Sequence, residues 1–189
     1  MSKLDWKRGR FNSDWETGKI FHGLEGWRTV YGDTLLYYKF NPSASVTDPV
    51  YDEASVTGGR AYFPPINVPC MHVIHIEGEN EYGQYGLYYN DALDATISFM
   101  AFTGAGLRMA DIENGTYLDD RVLYDRKVFR ITQLLVRGQI QQRDIIIALH
   151  GQQMKPDELV DDPVFSAWSE GGAQDFTETD YFGKTIGTQ

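Results

Sequence analysis

Few residues in this chain are equipped for chemistry. His72 and His75 stand three apart in CMHVIHI, residues 70–76. On a helix that spacing brings two imidazoles to one face, where they can share an ion; on a strand it sends them to opposite faces. Val73, Ile74 and Ile76 favour the strand. A cupin-like iron or zinc site would need two histidines two apart, then a Glu and a distant His. Glu79 and His150 could fill the later places, but HVIH breaks the pair, so no metal is expected. Glu77, Glu79 and Glu81 alternate before Gly83. A calcium loop wants Gly sixth and Glu twelfth; here Gly is seventh and Tyr88 is twelfth, which leaves a solvated acidic loop. TGAGLRMA (103–110) has a Gly-x-Gly, but Met109 stands where a dinucleotide cradle needs Gly or Ala. Cys70 lies in apolar company with no cation beside it, and no Gly-x-Ser-x-Gly elbow occurs. Asp119/Asp120 and Asp161/Asp162 are sequence neighbours, and adjacent carboxylates do not face each other across a substrate. The reading is a non-enzyme without a cofactor.

Groups so sparse shift attention to the frame. A chain of 189 residues is one domain's worth and can bury a core without metal or disulfide. One cysteine excludes an internal disulfide. Aromatic residues at 14% with 19 glycines favour strands and turns. The net charge of −10 is uneven: residues 1–30 carry six Lys/Arg against four Asp/Glu, 31–150 nine against fifteen, and 151–189 two against eight. No basic stripe for free DNA binding emerges. An acidic wall would instead repel DNA and let it pass. No apolar run approaches membrane-spanning length, and the first fifteen residues lack the apolar core of a secretion signal.

Along the chain, residues 1–33 read as an extended N-terminal arm. Trp6, Phe11, Trp15, Phe21 and Trp27 are separated by glycines and charges at neither helical nor strand period. Residues 34–150 read as the β core, containing a long loop at 41–65 with four prolines and Gly58-Gly59. Strands are expected at 34–40 and 70–76, an acidic loop at 77–86, and a strand over 93–102 with Leu93, Ala95, Ile97, Phe99 and Ala101 on one face. A short helix at 105–113 ends at Asn114-Gly115. A three-stranded meander follows, with RVLY, a turn at Asp125-Arg126 of three or more residues, KVFRITQLLV, a turn at Arg137-Gly138, and QIQQRDIIIAL. In its last strand Ile145, Ile147 and Leu149 face one way, Ile146 and Ala148 the other, so both faces should be covered. Residues 151–189 form an acidic segment with a short helix begun by Asp162-Pro163, on which Val164, Phe165 and Trp168 gather. The class is mainly β: a small antiparallel barrel or sandwich with one or two short helices and long extended arms.

DRVLYDRKVFRITQLLVRGQIQQRDIII, with Asp120, Val122, Tyr124, Phe129, Ile131 and Gly138, resembles the barrel hairpins of tailed-bacteriophage head-closure proteins, also called stoppers or head-to-tail connectors. DPVYDE (48–53) is a loop phrase of the same kind. The resemblance spans about half the chain; the Trp-rich arm and the acidic C-terminal segment lie outside it. It implies a structural virion protein, made in the host cytoplasm, that forms a homo-oligomeric ring of six or twelve in the neck. The ring would lie between the portal or adaptor ring and the tail-terminator ring and pass double-stranded DNA without reading it, away from any membrane. Trp6, Trp15, Trp27, Ile146, Ala148, Val164, Phe165 and Trp168 would then be interface anchors, and Glu77, Glu79 and Glu81 would line the channel. Rival readings are a tail-terminator or adaptor of the same neck, a sugar- or ligand-binding β module using Tyr and Trp platforms, and a cupin-like metalloenzyme.

Overall fold

The computed structural model describes residues 13–46, 59–78, 80–83, 86–140, 143–159, 162 and 164–165. Seven antiparallel strands form one sheet: β1 (Asp33–Tyr38), β2 (Ile66–Cys70), β3 (His72–Ile76), β6 (Ala92–Ser98), β7 (Arg121–Tyr124), β8 (Lys127–Ile140) and β9 (Arg143–Gln153). Their order is β2-β1-β7-β8-β9-β6-β3, and β4 (Asn80–Gly83) with β5 (Gly86–Tyr89) makes a separate hairpin. The mainly β, antiparallel class is the one expected.

β2 and β3 lie at opposite edges of the sheet, yet one residue, Met71, joins them. Its N–H donates to the Thr96 carbonyl on β6 at 2.7 Å. The sheet therefore rolls until its two edge strands run on end to end as one bent strand. Among the described residues no ladder joins β2 to β6, so the roll stops short of a closed barrel. The single strand expected over 70–76 is broken at Met71 because its two halves pair with different neighbours, β1 and β6.

Alternation builds the interior. Leu93, Ala95 and Ile97 of β6 face Leu149 and Ile147 of β9, and all five are buried. Tyr37, Val122 and Phe129 continue that core across β1, β7 and β8. Each large apolar side chain hidden this way stabilises the fold by about 1.5–3 kcal/mol. A second, smaller cluster gathers Val128, Met154, Leu159 and Phe165.

Several local expectations are corrected. Residues 13–31 are not an extended arm but a 19-residue helix, α1 (Ser13–Tyr31); its glycines and scattered aromatics hide the helical period. The strand over 93–102 stops at Ser98, whose Oγ accepts from Ala101 N–H at 3.2 Å and caps α2 (Phe99–Gly104). The short helix after it is α3 (Met109–Glu113), with Asn114 as its C-cap and Gly115 at φ 69°. The β7–β8 turn has only two residues, Asp125 and Arg126, at φ 46° and 62°; both take the left-handed conformation that a tight hairpin requires. Arg137-Gly138 is not a turn. β8 runs on to Ile140 with register shifts around Gly138, an irregularity that bends a strand without ending it. The acidic loop expected at 77–86 is instead taken into the β4–β5 hairpin, which runs from Asn80 to Tyr89. Of the helix expected from Asp162, Val164 and Phe165 form a turn, while Pro163 and residues 166–168 lie outside the described residues; a helical turn is described earlier, at α4 (Pro156–Leu159). The long loop is closed at its base by Asn41 N–H to Ala61 O and Phe63 N–H to Lys39 O, both 2.9 Å; residues 47–58 lie outside the described part.

Candidate interaction surface

α1 places aromatic and aliphatic side chains in solvent. Trp15, Trp27, Val30 and Tyr31 are 64%, 53%, 70% and 65% exposed. The rings of Trp27 and Tyr31 lie 4.7 Å apart, and Lys19 Nζ sits 5.5 Å from the Trp15 ring centre. Gly18, Gly23 and Gly26 face open space. Each glycine costs a helix about 1 kcal/mol relative to Ala, so this helix needs packing to persist. It packs on its own body at β6. Its end is fixed at Gly32, where an added Cβ would lie 2.7 Å from the Cys70 carbonyl. On the sheet, Ile74 and Ile76 of β3 are a further 49% and 47% exposed.

The other anticipated anchors fare differently. Ala148 is buried between Thr96 and Leu135 on the flanking strands and cannot be an anchor for a second chain. Ile146 is half-buried opposite Ser98 and Gly138. Phe165 is wholly buried in its own chain, edge-on to Tyr38 and Tyr62 at 4.9 and 5.2 Å; it fixes the C-terminal segment rather than a neighbour. Val164 is 43% exposed. Glu77 is exposed, just before the hairpin, and Glu81 belongs to β4. Trp6, Glu79 and Trp168 lie outside the described residues.

Three carboxylates are buried, those of Asp91, Asp120 and Asp162. Asp91 accepts from Lys127 Nζ at 2.5 Å, from Gly78 N–H at 3.0 Å, and pairs with His75 Nε2 at 2.8 Å. Burial disfavours its charge, but those bonds outweigh burial and hold its carboxyl below the ordinary range. Asp120 accepts from Tyr37 Oη at 2.5 Å and Phe40 N–H at 2.7 Å; burial nonetheless pushes its carboxyl up. Asp162 accepts from Tyr62 Oη at 3.4 Å and is likewise lifted by burial, against Arg121 and Arg60. Their partners lie 13 to 100 residues away in sequence, and no local pattern announces them.

These groups hold elements together. A groove of about 410 Å³ is lined by Asp33, Thr34, Leu36, Leu123, Tyr124, Asp125 and Arg126. Its one distinctive group, the Tyr124 phenol, donates to Asp33 at 2.5 Å, and that bond, with burial, pushes its pKa up to about 12. On the outer sheet face His150 Nδ1 bonds Asp94, while Nε2 lies 3.2 Å from an Arg137 nitrogen. Arginine only donates, so Nε2 accepts and Nδ1 carries the proton. Among the described residues no three His, Cys, Asp or Glu side chains are grouped to hold a metal ion, and no described helix is long and apolar enough to cross a membrane.

No family model matches the chain, and no curated protein does. Among solved structures it is similar to a chain of the virion of a native gene transfer agent particle, at 11% identity and a TM-score of 0.39, over 65% of this chain and 94% of that one. At that TM-score the likeness assigns neither fold nor role.

Proposed function

We propose that the chain is a structural component of the neck of a tailed phage or phage-like particle, a head-closure protein that works as a ring of six or twelve copies and is not an enzyme. The observation that carries this reading is α1: four large apolar side chains more than half exposed on a helix that its own body only partly supports. Such a surface has a purpose in company, and aromatic anchors are what interfaces use. The head-closure resemblance of residues 120–147 supplies the kind of company. The rolled sheet offers a rigid hub for it, and a chain with surplus negative charge repels phosphates, which suits a wall that DNA must slide past. The neighbours are other copies, a portal or adaptor ring on one side and the tail-terminator ring on the other.

Deleting the chain from its particle tests the proposal. Heads should fill with DNA, lose it on release and remain without tails. Intact tailed particles from the deletion would contradict it.

A further inference from the structure

Natural sheets blunt their edges with proline, lysine, bulges or inward charges, because an open edge accepts foreign strands. The two edges of this sheet differ in that respect. β2 carries Pro69, which has no N–H to give. β3 reads His-Val-Ile-His-Ile and carries none of these devices. Among the described residues it pairs with β6 on one side only, and the sheet ends there. Ile74 and Ile76, half exposed, stand over that edge.

The edge also has an apolar flank. Gly32 lies against the Cys70 carbonyl, which sets the last turn of α1 beside the chain two residues before β3 begins. That turn shows Trp27, Val30 and Tyr31 to solvent. Together with Ile74 and Ile76 these side chains offer on the order of 500 Å² of surface. Each partner in a stable complex contributes roughly 800 Å². A paired backbone strand makes up the difference, whereas a small ligand would leave most of the surface wet.

We propose that the open edge of β3, flanked by the last turn of α1, is where a second copy of this chain adds an extended strand. The partner rests on the ring reading given above. Repeated head to tail, such a contact closes a ring, because the surface given and the surface received are different. Backbone hydrogen bonds supply the affinity, and the apolar flank selects the register.

The test is native mass spectrometry of the full chain and of Ile74→Lys/Ile76→Lys, at matched concentration. Both residues are exposed, so the fold should stand, which far-ultraviolet dichroism checks. The wild type should assemble and the double variant should lose at least tenfold in assembled fraction. A second variant, Val30→Lys with Tyr31→Lys on the flanking turn, should lower the assembled fraction in the same direction. An assembly that the lysines leave intact overturns the inference and spares the ring reading. A closed dimer that they disperse upholds the inference and overturns the ring. A wild type that stays monomeric throughout the concentration range overturns the inference.

Discussion

Lys127 Nζ donates to the Asp91 carboxylate at 2.5 Å across the root of the β4–β5 hairpin. The Asp91 side chain is only 1% exposed. Through Lys127, His75 and Gly78 it ties β8, β3 and the entry to the hairpin to the start of β6. The fit is close: a Cβ on Gly78 would lie 1.8 Å from the Asn90 carbonyl oxygen. The hairpin is thus held at its base by one carboxylate.

Replacing that carboxylate should be costly. Asp91→Ala strands Lys127, the Gly78 N–H and His75 near a buried site. Because Lys127 keeps part of its hydration, with its side chain 35% exposed, the loss should be about 2–3 kcal/mol rather than that of a fully buried pair. Urea unfolding measures it; an unchanged midpoint would contradict the tie.

Asp91 and Asp120 should respond to acid with opposite signs. Asp91 is held below the ordinary carboxyl range. It contributes stability above the unfolded pKa of about 3.9 and loses it as the pH falls through its lower folded value. Asp120 is raised by burial. The folded chain takes its proton first, so its contribution improves as the pH falls from that raised value toward the ordinary one. Asp91→Asn should therefore flatten the acid loss of stability. Asp120→Asn, whose amide can still accept from Phe40 N–H, should abolish a gain on mild acidification. Unfolding free energies measured across the acid range decide both; slopes of the same sign would refute the assignment.

Phe165→Ala should cost about 3–4 kcal/mol. It empties a site between Tyr38 and Tyr62 that is wholly buried, and it frees the segment after Met154. Limited proteolysis should then cut beyond residue 154 well before the rolled sheet is touched. Equal resistance in wild type and variant would contradict the anchoring.

Trp15→Ser and Trp27→Ser should behave in the reverse way. Both rings are more than half exposed, so stability should change by no more than about 0.5 kcal/mol each. Assembly, read by sedimentation, should fall at least tenfold. Variants that assemble like the wild type would remove α1 from the interface.

Much of the sheet was legible because strict alternation survives in β6 and β9, and because Asp125-Arg126 interrupts two such runs. α1 was not legible: Gly18, Gly23 and Gly26 dilute it, and its large apolar groups do not share one stripe. At α2, Phe99 and Ala101 prolong the strand pattern while Ser98 caps a helix, so a local capping bond overrode the alternation. Arg137-Gly138 has the composition of a turn but serves as an irregularity opposite Ile146. Phe165 was assigned to a neighbour because its partners, Tyr38 and Tyr62, lie more than a hundred residues earlier. The buried carboxylates follow the same rule: a bond between Asp120 and Tyr37, 83 residues apart, exists only once the sheet has rolled.

The chain's place in the neck is reached most directly by imaging. Particles carrying this chain with a compact fused tag should be averaged by electron cryomicroscopy. Extra density should appear at the head–tail junction, arranged as a ring of six or twelve. Tag density elsewhere on the particle, or none on purified particles, would contradict it.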